Sequence, residues 1–426
     1  MKKIIMSAVA LSAVMGTTSV ASAADGISIF DDVKVKGQIR PRMEYVDITD
    51  NNKGKGLAFT ARTHLVATAG LLGVENLTAT VGIQSVNNFG YERYKSTDNG
   101  NPPYEVIKDP QFAMMSEASV DYKAGKTALH AGRSHVNLDN QRFIGTVGWR
   151  QVERSYDTVY AADNSIENLN ILAAYVYGFQ GVGAGDTAET NSILLNVKYK
   201  VADALTVTAY DYMLAVGAQG VDSDTMGLAL TGKVDAGAKL SYRAEYAVQT
   251  DPSMEYRTKD LKADASYYNL DLGANISGIL AGVNYEVLSG ADGAGKTAFN
   301  PKLGTNHKFN GWADVFYVAA LPSGGLQDAN IRLGYKAKGF GKLLAVYHSF
   351  TADTAMDAAN APNGTETTND LGSEIDVVYV NAVPGFKNLK GLVKFASYSK
   401  GAAAETGLAT WNHDKQVLWA QLDYKF

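Results

Sequence analysis

Residues 33–45 read VKVKGQIRPRMEY: the odd positions Val33, Val35, Gly37, Ile39, Pro41, Met43 and Tyr45 are apolar or small, and the even positions Lys34, Lys36, Gln38, Arg40, Arg42 and Glu44 are polar or charged. Successive side chains of a strand point to opposite faces, so a period of two specifies a strand between an apolar medium and water. The same period returns at 192–199, 237–249 and 330–336, where Ile193, Tyr246 and Leu333 share parity with apolar neighbours and Lys198, Arg243 and Arg332 with polar ones.

Carried along the chain, the alternation predicts about eighteen strands from 33–46 to 415–426, including 149–161 and 259–272, and an even number is what bacterial barrels use. Connections alternate between short links (Ala124-Gly125, Ala202-Asp203, Lys338-Gly339) and long ones (89–112, 290–326, 352–370). Short links belong on the periplasmic side and long loops outside, which puts both termini in the periplasm. The last strand carries Leu418, Ala420, Leu422, Tyr424 and Phe426 on one face and so ends on an aromatic. Such an end resembles the terminal signature through which the barrel-assembly machinery recognises its clients. A soluble sandwich or propeller would show blade repeats or compact turns and would have to bury these basic faces, whereas a water-filled lumen solvates them.

Upstream, Lys2 and Lys3, an apolar run from Ile4 to Met15 and the small residues Ala21 and Ala23 follow the order of a secretory leader, with cleavage expected after Ala23. The organisation expected is therefore a signal peptide, 1–23, and a barrel, 24–426, located in the bacterial outer membrane among its lipid and lipopolysaccharide. The first strand begins so soon after the leader that a plug domain has no room. With 42 Gly, 24 Tyr, 9 Pro and 19% charged residues, the composition suits many short strands with aromatic girdles. The formal charge of −5 becomes −7 once Lys2 and Lys3 are removed, which disfavours nucleic acid as a partner. No cysteine is present, so disulfides and thiolate metal sites are excluded.

Six histidines (His64, His130, His135, His307, His348, His413) show no HExxH spacing, and GxSxG and Walker motifs are absent. No enzyme, cofactor or metal is expected. Basic residues on inward faces stand out instead: Lys34, Lys36, Arg40, Arg42, Arg62, Arg243 and Arg332. An Arg or Lys on the lipid face costs about 2–4 kcal/mol near the midplane, so these should face the lumen, where a ladder of cations favours anions. Each could equally pair with a lumen carboxylate such as Glu44, Glu245, Asp264 or Glu286. The acidic residues are otherwise assigned largely to loops such as 352–370.

Two blocks carry a family resemblance. Gly132-Arg133, Asn137–Gly145 (NLDNQRFIG) and Gly148-Trp149-Arg150-Gln151 look like the alginate-export family of outer-membrane porins, and Asn300–Tyr317 (NPKLGTNHKFNGWADVFY) is similar to a segment of the same family. The resemblance implies a monomeric eighteen-stranded barrel with an arginine-lined constriction for small anions or an anionic polysaccharide. It implies pore-lining roles for Arg133, Arg142 and Arg150, with Asp139 as a partner and Arg154 a further candidate. Trp312–Tyr317 could be read as a nineteenth strand; placing it in the loop 290–326, folded over or into the lumen, keeps the parity even. An adhesin or structural barrel acting through loops such as 352–370 is the alternative reading.

Overall fold

The computed structural model describes residues 29–99, 102–216, 222–250, 265–291, 298–317, 320–358, 366–405 and 410–426. The expected leader, 1–23, and Asp264 lie outside the described residues. Eighteen antiparallel strands follow one another: β1 Phe30–Ile48, β2 Gly56–Leu71, β3 Leu77–Asn87, β4 Phe112–Ala124, β5 Thr127–Ser134 and β6 Ser155–Asp163. Next come β7 Leu169–Gln180, β8 Thr187–Ala202, β9 Leu205–Leu214, β10 Ser223–Asp235, β11 Lys239–Thr250 and β12 Ala265–Ile276. The last six are β13 Ile279–Leu288, β14 Leu326–Ala337, β15 Gly341–Asp357, β16 Thr367–Ala382, β17 Leu389–Ser399 and β18 Lys415–Lys425. Each pairs with its chain neighbours, and β1 also pairs with β18, so the sheet is a closed barrel with no free edge.

The outer face is the apolar one. Ile331 and Leu333 on β14 are 60% and 64% exposed, while the preceding Asn330 is 8% exposed and turned inward. On β1 the alternation seen in the sequence resolves the same way: Ile39 is exposed, and Arg40, Arg42 and Glu44 are buried inside.

The strand read as 259–272 is seen as Ala265–Ile276, and two further changes bear on the lumen and the loops. The strand read as 149–161 begins at Ser155, because Trp149 to Arg154 leave the sheet and cross the lumen as part of the connection 135–154, here called the inner loop. The loop read as 352–370 shrinks to 358–366, because β15 and β16 extend as a hairpin with Met356 opposite Thr368 and Asp357 opposite Thr367. The connection between β13 and β14, 289–325, is called the long loop below.

Closure depends on a close approach at the short-turn rim. Gly37 and Phe426 exchange backbone hydrogen bonds, N to O at 2.8 and 3.0 Å. The Phe426 ring covers Gly37 so closely that a Cβ there would lie 2.2 Å from it. Aromatic cover of a strand glycine pins register, and here it pins the seam. Gly37→Leu is expected to displace the ring and lower the folded fraction, read from heat-modifiable gel mobility. An unaltered folded fraction would contradict this account of the seam.

Candidate functional site

A barrel of eighteen strands is wide enough to leave an aqueous lumen unless something occupies it. In this chain the inner loop does, and arginines on the wall hold it. Arg40 on β1 donates from Nε to Gln151 Oε1 and from NH1 to the Gly148 carbonyl, both at 3.0 Å, and from NH2 to the Arg150 carbonyl. Arg42 lies 4.3 Å from the centre of the Trp149 ring and donates to Gln421 Oε1 at 2.7 Å. Arg62 on β2 reaches Glu153 at 3.0 Å, and Gln84 on β3 exchanges hydrogen bonds with the Glu153 backbone at 2.7 and 3.1 Å. Burial works to raise the Glu153 carboxyl, but His135 and Arg62 outweigh it and pull the pKa down to about 2.

The loop's own arginines reach outward from it. Arg150 bridges Glu44 of the wall at 2.9 Å and Asp314 of the long loop at 2.8 Å. Arg142 pairs with Glu286 of β13 at 2.8 Å and donates to Asn310 of the long loop, also at 2.8 Å. Arg154 donates to the Leu303 carbonyl at 2.7 Å. Charge-assisted hydrogen bonds of this kind are each worth roughly twice a neutral one.

The long loop is held from the opposite wall. Asp376 and Glu374 on β16 accept from the backbone N–H groups of Trp312 and Ala313 at 3.1 and 2.7 Å. Gly311 has φ +85°, and a Cβ there would meet the Glu374 carboxylate at 2.5 Å, so glycine is required at this contact. Lys394 on β17 stands within 4.2, 4.0 and 5.2 Å of the ring centres of Trp149, Trp312 and Trp419 and donates to His307 Nε2 at 2.6 Å. The other nitrogen, His307 Nδ1, faces Asp314 Oδ1 at 2.8 Å. Burial, with Lys394 alongside, pushes the His307 pKa down to about 3 against the pull of Asp314, so the ring is neutral and can accept from the lysine.

What stays open is a cavity of about 730 Å³ between these loops and the β11–β15 wall, lined among others by Arg243, Asp271, Lys308, Arg332 and Lys342. Arg243 pairs with Glu245 at 2.8 Å and Arg332 with Asp271 at 2.6 Å, in both cases with the arginine partly open to the lumen. Lys308 is exposed, with Nζ on the Asn140 carbonyl at 2.9 Å.

The residues singled out in the sequence therefore separate. Arg243 and Arg332 line the cavity, and Lys34 and Lys36 sit exposed toward the short-turn rim. Arg40, Arg42, Arg62, Arg142, Arg150 and Arg154 clamp loops. Asp139 pairs with Lys198 at 3.1 Å and accepts from Asn196, not from an arginine. Arg133 differs from the expectation altogether: it shares parity with Leu129, which is 43% exposed on the outer face, and makes a bidentate pair with Asp157, both bonds 2.7 Å. Glu44 and Glu286 pair with arginines inside the barrel, as one reading of the sequence had it, whereas Asp109, Asp328, Glu374 and Asp376 depart from the assignment of acids to loops, being buried inside.

Lys308, Lys342, Lys394 and the His307–Asp314 pair were missed. Lys342 and Lys394 share inward parity with Val346 and Ala396, a signal the alternation does contain. The fold also brings Asp121, His130 and Ser134 into one hydrogen-bonded chain of 2.7 and 3.2 Å that no motif announced. There the imidazole is buried under the stacked ring of Tyr160 at 4.5 Å.

No family model matches the chain, and no curated protein matches it in sequence. Solved structures do match. OccK8 (OprE) of Pseudomonas aeruginosa has a TM-score of 0.67 at 14% identity, covering 94% of this chain and 99% of its own. OccAB4 of Acinetobacter baumannii has a TM-score of 0.68 at 14% identity, covering 93% and 98%. OpdK of Pseudomonas aeruginosa, solved with vanillate, has a TM-score of 0.67 at 12% identity, covering 93% and 99%. The likeness is one of fold, that of an outer-membrane porin barrel, and it does not single out the alginate-export family.

The clamps make a testable demand. Arg142→Met leaves Glu286 buried without its guanidinium, a loss of roughly 3–5 kcal/mol in a buried pair. Hydrogen–deuterium exchange is expected to rise across 136–153 and 300–317 while β1 and β18 stay protected. Unchanged exchange in both loops would show that the pair does not hold them.

Proposed function

We propose that this chain is a monomeric passive channel of the bacterial outer membrane through which small anionic solutes diffuse. The observation that carries the reading is the cavity beside the loops, whose lining presents Arg243, Arg332 and Lys342 from the wall and Lys308 from the long loop. Conduction needs sites strong enough to admit a solute and weak enough to release it. Bases that are partly exposed, and partly offset by Asp271 and Glu245, meet that condition; the clamp arginines, already engaged by carboxylates or by backbone carbonyls, do not.

A small solute is favoured over a polysaccharide. The inner and long loops cross the lumen and hold each other by the Arg150–Asp314 ion pair and by hydrogen bonds from Arg142 to Asn310 and from Arg154 to the Leu303 carbonyl, so a polymer would have to break these contacts or thread what remains beside them. Apart from Gly132-Arg133 on β5, the blocks that carry the alginate-export resemblance, 137–151 and 300–317, therefore fall on segments that here narrow the lumen. The adhesin reading loses most of its support with the shortening of the loop 352–370 to 358–366.

Net charge does not set selectivity; the lining does. Wild-type protein in a planar bilayer under a salt gradient should show a reversal potential of anion-preferring sign. The variant Lys308→Glu, Arg332→Gln, Lys342→Glu should move it toward cations without loss of folding, since the three positions are water-facing. Cation preference in the wild type, or an unmoved potential in the folded variant, would overturn the proposal.

A further inference from the structure

We propose that His64, Glu117 and His135 form a binding site for a divalent transition-metal ion at the foot of the inner loop. The three side chains come from separate elements: His64 from β2, Glu117 from β4, and His135 from the first residue after β5. One donor atom from each lies within 4.8 Å of the others.

The backbone is shaped to bring the carboxylate in. The β3–β4 register shifts so that Gly82 opposes Glu117 and Ile83 opposes Met115, which makes Ser116 an extra residue and turns the chain at that point. Opposite the bulge, a Cβ on Gly82 would stand 3.0 Å from Glu117 Cβ and 3.1 Å from Oε1, so the glycine leaves space for the acid. Bulges commonly re-aim a side chain in this way.

The distances suit an ion. Zinc–nitrogen bonds of about 2.0–2.1 Å in tetrahedral geometry separate ligand atoms by about 3.3 Å. His64 Nε2 stands 3.3 Å from Glu117 Oε1, and His135 Nδ1 stands 4.0 Å from the same oxygen. Closing the second gap needs a movement of less than about one ångström, within the reach of a ring rotation. The side chains are 14%, 19% and 17% exposed, so an ion can reach them from the lumen.

Two imidazoles and one carboxylate form a donor set for borderline divalent ions such as Zn²⁺ or Co²⁺, with positions left for water. Neighbours set the competition. Ser116 Oγ is 3.1 Å from His64 Nε2 and must yield to the ion, and Arg62, 3.2 Å from His64 Nδ1, must rely on its other partner, Glu153. Bound there, the ion would tie the start of the inner loop to the wall beside the Arg62–Glu153 clamp at the loop's end.

The test uses the full mature barrel, folded in detergent and free of any histidine tag. Titration with Zn²⁺ by calorimetry, and with Co²⁺ by its visible absorption bands, should give one saturable site per barrel. His135→Ala and Glu117→Gln should each weaken it by at least about tenfold, the loss that even an outer-shell substitution brings, while His130→Ala leaves it unchanged. Heat-modifiable mobility confirms folding, and His135→Ala, lying outside the strands, carries the test if Glu117→Gln does not fold. Absence of a saturable site, or equal affinity in the wild type and His135→Ala, would overturn the proposal.

Discussion

Arg150 sits where three elements meet: it belongs to the inner loop and binds Glu44 of the wall and Asp314 of the long loop. A buried ion pays several kcal/mol in lost hydration and is tolerated only when its partners restore that loss. Both carboxylates hold one guanidinium, and burial makes each member depend on the others. The remaining clamps, Arg40 on carbonyls and Gln151, Arg142 on Glu286, and Lys394 among three indoles, repeat the logic with different partners. The lumen is therefore occupied by charge networks, and their purpose is to fix backbone inside a barrel that would otherwise stand open.

This arrangement divides the interior. On the side of β1–β3 and β16–β18 the polar wall is consumed by loop docking. On the side of β11–β15 it faces water, and there Arg332, Lys342 and Arg243 keep part of their surface available. In the proposed channel, selectivity would belong to the second side, while the first would set how much room a solute has. One strand can serve both ends: Glu286 on β13 holds Arg142, whereas Asn284 on the same face lines the open cavity.

The alternation in residues 33–45 carried most of the fold, because lipid on one face and water on the other impose a period that no other element shares. Parity says which face a side chain takes and nothing about its partner. Arg40 and Arg332 look alike in sequence, yet one holds a loop and the other lines a cavity, since the difference lies in a segment more than a hundred residues away in the chain. Arg133 was misplaced because its role came from a motif; its own parity with Leu129 pointed outward. Trp149 to Arg154 resembled a strand continuation for want of any period to exclude it. The buried carboxylates were unreadable for a related reason: Glu374 and Asp376 make sense only against the N–H groups of Trp312 and Ala313.

In the proposed channel the inner loop is what narrows the passage. Single-channel conductance of a barrel in which residues 137–152 are replaced by a short glycine–serine link tests it most directly, with folding checked by heat-modifiable mobility. A several-fold rise over the intact protein, with the current becoming less ion-selective, is the expected result. A folded, shortened barrel that conducts no more than the intact one would contradict it.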